Sequence, residues 1–391
     1  AIIFVFLIPY TASVYNGLSR LFGMAFGLPY EVCVIGMAVI TCLYVVLGGY
    51  MATVMNDFLQ GIVMLFGIVA VIAAVILNNG GFSEAITTLS QIPAEGSQMA
   101  GPFVSMFGPD LFNLLGVVVL TSLGTWGLPQ MVQKFYAIKS GPAVKQGAII
   151  STLFAFVVAG GSYFLGGFGR LYADKIEIGP TGLPVYDSII PTMLSTLPDI
   201  LIGIVIVLVL SASMSTLSSL VLTSSSTLTL DLLQGNVVKK MSEQSKLGWM
   251  RILIVLFIIV SAALALVQYN SSITFIAQLM GISWGALAGA FLGPFLWGLY
   301  SGRISKAAVW CSFIVGVCLT SGNMVLTLMG TPLIASPINC GALAMLLSLI
   351  IVPVVSLFTK SVPFEVNLPS PEGAIDREFK HELAEERKGV E

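Results

Sequence analysis

The chain has 391 residues, 57% of them hydrophobic and 9% charged, with a formal net charge of −2. A soluble domain usually carries about 25% charged residues, so this composition, with a mean hydropathy of +0.97, excludes a soluble globular protein. There is no basic face for nucleic acid, and the single histidine, His381, with five scattered cysteines (Cys33, Cys42, Cys311, Cys318, Cys340) leaves metal hydrolysis and Ser-His-Asp chemistry without parts.

Apolar runs recur at about the 20 residues a helix needs to cross a bilayer. They predict ten spans, at 1–24, 31–49, 57–78, 110–128, 146–170, 200–230, 250–268, 272–299, 307–329 and 336–358. The alternating short strands of an outer-membrane barrel are not the pattern. The first run opens AIIFVFLIPY, with no Met, positive leader region or cleavage site, and reads as a helix entered part-way. Between the third and fourth spans, FSEAITTLSQI sets Phe82, Ile86, Leu89 and Ile92 on one stripe and predicts a short surface helix. Residues 360–391 mix acidic and basic groups and predict a loosely ordered tail.

Lysine and arginine orient the spans. Lys134, Lys139, Lys145, Lys239, Lys240, Lys246, Arg251, Arg303, Lys306 and the tail fall on one side, and only Arg20, Arg170 and Lys175 on the other. The basic side is expected to be cytoplasmic, so the first span runs outward and the C-terminus lies inside.

Three features bear on chemistry. The fourth span ends TSLGTWGLPQMVQKF, where Gly124, Gly127 and Pro129 predict a break, since Gly and Pro weaken helices. Broken backbone at membrane depth lines a cavity or is buried in protein. Thr121, Ser122, Thr125 and Trp126 would line such a cavity; an interfacial kink is the alternative. Asp57, in GGYMATVMNDFLQGIVML, is an ionisable group beside a span and thus a functional candidate. Asp57 and Gln60 also have the spacing of a capping box at the start of the third span.

The sixth span continues into LSASMSTLSSLVLTSSSTLTLD, with twelve hydroxyl residues between Ser211 and Thr229. Ala212, Ser215 and Thr216 share one helix face. A carbonyl and two hydroxyls there suit a small hard cation, which prefers oxygen ligands. Ser215, Ser218 and Ser219 repeat the spacing, and Asp57 from another helix would complete a second site. Close helix packing by small hydroxyl residues that bond back to their own carbonyls is the alternative.

Together, YTASVYNGLSRLFGMAFGLPYE, LGGYMATVMNDFLQ, WGLPQMVQKFYA, SMSTLSSLVLTSSSTLTLDLL and GALAGAFLGP resemble segments of the sodium/solute symporter family, in family order over residues 1–359. The resemblance implies an all-α integral membrane protein of about ten transmembrane helices with the leucine-transporter-like inverted-repeat fold. It implies that residues 1–78 are the remainder of the first repeat, whose first helices, including the broken one, are lacking. Residues 108–299 would then be the second repeat, 307–359 extra helices and 360–391 a cytoplasmic tail.

By the same resemblance, Ala212, Ser215 and Thr216 match the main sodium site, and Ser218, Ser219 and Asp57 a second one. Tyr10, Thr121, Thr125 and Trp126 fall where the family lines its substrate cavity, with Gln278 and Ser283 as further candidates. The expected activity is sodium-coupled import of a small organic solute at the plasma membrane. The expected partners are that solute, Na+ and the bilayer, with no organic cofactor, enzymatic activity, nucleic acid or obligate protein partner. A parent protein with three more upstream spans is expected to be needed for transport. Competing readings are a solute-sensing membrane domain of a signalling protein, for which the tail is too short to be a kinase, and a secondary transporter that does not use sodium.

Overall fold

Several helix starts carry side-chain caps. The Asp110 carboxylate accepts from the Asn113 N–H at 3.0 Å and opens α4 (Leu111–Gly127). Ser140, Ser305 and Ser336 do the same for α6 (Gly141–Gly167), α11 (Lys306–Leu328) and α12 (Pro337–Phe358). Each cap satisfies one of the N–H groups that a helix N-terminus leaves without an intrahelical partner. The computed structural model describes residues 1–94, 101–135, 138, 140–178, 182, 184–238, 241–271, 276–301 and 303–360. The predicted tail beyond Lys360, with His381, and the loop lysines Lys139, Lys239 and Lys240 lie outside the described residues.

The remaining helices are α1 (Ile2–Phe26), α2 (Tyr30–Asn78), α3 (Phe82–Gln91), α5 (Pro129–Phe135), α7 (Ile189–Leu194), α8 (Asp199–Ser226), α9 (Glu243–Ser271) and α10 (Ile276–Tyr300). Among the described residues nine helical segments are long and apolar enough to cross a membrane, and α4 with α5 makes a tenth. That pair bends by 47° at the predicted Gly127-Leu128-Pro129 break. Gly127 lies against α10: a Cβ there would stand 2.8 Å from the Ala288 Cβ. The glycine is required for close approach as well as for the bend.

One run differs from the sequence expectation. The second and third predicted spans form one uninterrupted helical run, α2, 49 residues long. Asn56 Nδ2 nonetheless donates to Tyr44 Oη at 3.0 Å, although twelve residues of straight helix extend about 18 Å. The run therefore turns back on itself without a fresh N-terminus. Asp57 has no helix start to cap, and the capping-box spacing with Gln60 fits a helix interior equally well.

α10 is the most deeply buried span. Gly281, Gly285, Gly289 and Gly293 recur every four residues and so form one stripe. A Cβ at Gly281 would meet the Ile338 Cα at 3.1 Å, at Gly285 the Gly341 Cα at 2.5 Å, and at Gly289 the Ala344 Cβ at 2.8 Å. The Gly293 N–H donates to Ser348 Oγ at 2.8 Å. Small residues let membrane helices approach to backbone contact, where dispersion drives their association. Gly316 of α11 packs against Gly289 and Ala290 beside Ala344. Ser312 Oγ donates to the Ala290 carbonyl at 2.9 Å and meets Ser348 Oγ at 2.8 Å.

Two apolar cores flank the middle of the chain. One gathers Leu7 and Tyr15 of α1, Leu217 and Val221 of α8, Phe257 of α9 and Leu287 of α10. The other joins the far end of α2 (Ile68, Val75) to Phe168, Met193 and Val205. The surface helix α3 seats Ala85 and Leu89 in this second core and leaves Phe82 exposed, so the predicted stripe is buried on its Leu89 side.

Candidate functional site

The hydroxyl segment runs down α8 and into π-helical residues Thr227–Val237. Wider π turns inside helices occur frequently at functional sites. On α8, Thr216 Oγ1 donates to the Ala212 carbonyl at 2.9 Å, and Ser218 Oγ to the Ser215 carbonyl at 3.0 Å. Four of the proposed ion ligands thus satisfy one another in pairs along their own helix.

Three cavities touch this helix at successive heights. The first, about 510 Å³, is bounded by Tyr10 and Ser13 of α1, Asp187, Ala212 and Thr216 of α8, and Ile276 at the head of α10. It brings Tyr10, expected to contact solute, beside two residues expected to bind the main ion. Tyr10 is held edge-on against Trp284, with centroids 5.5 Å apart and planes at 87°. The second cavity, about 530 Å³, holds Asp57, Gln130, Lys134, Ser219, Thr223 and Ser226. The third, about 550 Å³, holds Gln133, Thr223, Thr227, Asp231, Phe291 and Pro294.

Asp57 and the lower serines converge between α2 and α8. Ser215 lies beside the Asp57 carboxyl, and Ser218 beside Tyr44, whose hydroxyl Asn56 bonds. Asp57 Oδ2 stands 3.9 Å from Lys134 Nζ, while Oδ1 is buried without a hydrogen-bond partner among the described residues. A carboxylate oxygen left open beside serine hydroxyls is a donor set suited to a hard monovalent cation.

The other expected solute contacts are dispersed. Ser283 is fully buried and its hydroxyl donates to the Phe6 carbonyl, tying α10 to α1. Gln278 lines a separate cavity of about 190 Å³ with Leu279, Thr320 and Asn323. Thr121 Oγ1 donates to the Val117 carbonyl at 2.8 Å and Thr125 Oγ1 to the Ser122 carbonyl at 3.0 Å. Trp126 is 53% exposed. None of these three α4 residues borders the cavity that holds Tyr10.

The structure adds residues that sequence reasoning passed over. Asp187 accepts from the Ile276 N–H with both oxygens at 3.2 Å and so anchors the segment before α7 to the head of α10. Burial pushes its carboxyl above the usual carboxylate range, while the Ile276 N–H and Arg20 pull it down. Gln130, Gln133 and Lys134 follow the α4–α5 bend at i, i+3 and i+4, a spacing that puts polar groups on one face and is readable in the sequence.

A broken span, hydroxyl-lined cavities and, among the described residues, nine membrane-length helices with the bent pair as a tenth define a helical multi-pass membrane protein. Residues 1–316 match the family model described as the sodium:solute symporter family, and the chain belongs to that family. It is 30% identical over 306 residues to the sodium/pantothenate symporter of Escherichia coli (strain K12), covering 77% of this chain and 60% of that relative. It is 28% identical over 320 residues to the osmoregulated proline transporter OpuE of Bacillus subtilis (strain 168), covering 81% and 61%. The sodium/proline symporter of Salmonella typhimurium (strain LT2) is 26% identical over 326 residues, again covering 81% and 61%. The chain thus spans about 60% of the length of the curated relatives it matches. Its fold is like that of a Na+-coupled sialic acid symporter solved in a substrate-bound outward-open state. The TM-score is 0.64 at 19% identity, over 92% of this chain and 74% of that one.

Proposed function

We propose that the chain carries the ion-binding helix and part of the solute cavity of a sodium-coupled symporter that imports a small organic solute through the cell membrane. The observation that carries this reading is the meeting of Tyr10, Ala212 and Thr216 around one cavity of about 510 Å³. Ala212, Ser215 and Thr216 hold one sodium ion; Ser218, Ser219 and Asp57 serve a second. Tyr10, Thr121, Thr125, Trp126, Gln278 and Ser283 belong to the solute path or its supporting wall.

In this reading residues 1–78 belong to one inverted repeat, 108–299 to the other, and 307–359 are added helices. The tail from 360 faces the cytoplasm, as the lysine and arginine distribution favours. Sodium and solute bind the same arrangement of the repeats, so each raises the affinity of the other by the same factor. The membrane potential adds about 2.3 kcal/mol per charge per 100 mV. The chain does no covalent chemistry and needs no organic cofactor in this role.

Relatives named for pantothenate and for proline direct the test. The full-length gene product is assayed for uptake of labelled proline, pantothenate, sialic acid and neutral sugars, with sodium and with choline. Sodium-dependent uptake of one of them is expected. Uptake of a solute at equal rates in both media would sink the sodium reading.

A further inference from the structure

Ala212, Thr216, Ser219, Thr223, Ser226 or Thr227, and Asp231 follow one another at steps of three or four along α8 and its π-helical extension. They therefore form one stripe. The stripe borders all three cavities in turn: Thr216 the first, Ser219 the second, Thr223 the second and third, Asp231 the third. The lower two cavities share two residues, Thr223 and Gln133. These two are joined, with Thr223 Oγ1 donating to Gln133 Oε1 at 2.8 Å. This hydrogen-bonded pair lines both the cavity holding Asp57 and the cavity holding Asp231.

A second observation points to a ligand in the first of these. Gln130 lines the Asp57 cavity and is only 3% exposed, yet among the described residues neither its amide oxygen nor its amide nitrogen has a hydrogen-bond partner. Buried amides without partners are costly, and each one calls for an explanation. A hydrated cation in the cavity would supply it, with water bonding the amide nitrogen's acceptor-seeking N–H and the ion or its water meeting the oxygen.

We propose that this stripe is a cation exit track from Ser219 and Asp57 to Asp231, with Gln130 as a ligand to the hydrated ion and the Thr223–Gln133 pair as the inner gate. The proposal rests on the sodium reading above for the identity of the ion. Closed, the gate satisfies the Thr223 hydroxyl and the Gln133 carbonyl against each other. Open, it offers both oxygens to the passing ion. Asp231 holds negative charge at the mouth.

The test is thiol accessibility in inside-out vesicles carrying the full-length gene product with its native cysteines replaced. A membrane-impermeant cationic thiol reagent is added from the cytoplasmic face. Ser226→Cys, Thr223→Cys and Ser219→Cys are expected to react, and Leu220→Cys and Val221→Cys, off the stripe, are not. Gln133→Ala is expected to speed reaction at Ser219→Cys by about 3- to 10-fold, the factor one lost hydrogen bond supplies. Gln133→Glu, which keeps the acceptor, is expected to leave that rate near the parent's and shows that the fold tolerates change there. Gln130→Leu is expected to slow it. Equal reactivity on and off the stripe overturns the track, and an unchanged rate in Gln133→Ala overturns the gate. Rates at Ser219→Cys that ignore sodium while the stripe contrast persists overturn the sodium reading instead.

Discussion

Thr216 Oγ1 donates to the Ala212 carbonyl across 2.9 Å, so two proposed ligands of one ion bond each other. The donating hydroxyl keeps its lone pairs and the carbonyl a second one, so both oxygens remain open to a sodium ion. Thr216→Ala removes an oxygen from the site but only a local bond from the helix. It is expected to raise the sodium concentration for half-maximal uptake about tenfold, equivalent to about 1.4 kcal/mol, with thermal stability within about 0.5 kcal/mol of the parent. Thr216→Ser restores the oxygen and is expected to restore sodium dependence. Uptake measured against sodium concentration decides it, and an unchanged curve for the alanine variant removes Thr216 from the site.

Asp57 sits between Lys134, 3.9 Å away, and Ser215. Asp57→Asn keeps the shape and removes the charge. We expect fewer sodium ions carried per solute, read from paired fluxes of labelled sodium and labelled solute. An unaltered ratio would leave Asp57 with only its contact to Lys134.

The glycine stripe of α10 makes a stability prediction that is independent of transport. A Cβ at Gly289 would stand 2.8 Å from the Ala344 Cβ, and one at Gly166 meets nothing within 4 Å. Gly289→Ala is expected to cost about 1–3 kcal/mol by overpacking and Gly166→Ala to be neutral or slightly stabilising. Melting of the detergent-solubilised protein, followed by loss of the monodisperse chromatographic peak, compares them. Equal melting points for the two variants would contradict the close packing of α10 and α12.

Asp187 links the segment before α7 to the head of α10, and burial raises its pKa. A carboxyl whose pKa is raised on folding stabilises the fold in its protonated form. That contribution is complete below the unfolded value of about 3.9 and is lost as pH rises through the folded one. Asp187→Asn keeps an oxygen for the Ile276 N–H and cannot ionise. Its melting point is expected to exceed the parent's at neutral pH, with the gap closing as pH falls toward 4. A gap that stays constant across that range would show that the Asp187 charge is not what burial opposes.

Much of the architecture is written in local chemistry. The bend after Gly127 follows from Gly and Pro, and the caps at Asp110, Ser140, Ser305 and Ser336 from short polar side chains ahead of apolar runs. The turn within α2 was harder to read, because the Asp57–Gln60 spacing belongs to helix starts and helix interiors alike. Site membership depends on facing. Gln278 and Ser283 lie five residues apart on α10, roughly 140° around its axis, so one reaches a cavity beside Asn323 and the other the Phe6 carbonyl. The Thr223–Gln133 contact spans ninety positions, and no local pattern encodes it. Family resemblance carried the reading of Ala212, Ser215 and Thr216, since their spacing recurs by chance in so serine-rich a helix.

The backbone contact between α10 and α12 also has a mechanical side. With glycines at every fourth position of α10, no α10 side chain stands between its backbone and Ile338, Gly341, Ala344 and Ser348 of α12. A shift of one residue would drive the side chains of Ile282, Ala286 and Ala290 toward α12, and Gly316 of α11 closes on the same stretch at Gly289 and Ala290. α10, α11 and α12 therefore behave as one stiff strut. They stand as a fixed frame beside the cavities along α8, two of which α10 itself borders through Ile276, Phe291 and Pro294.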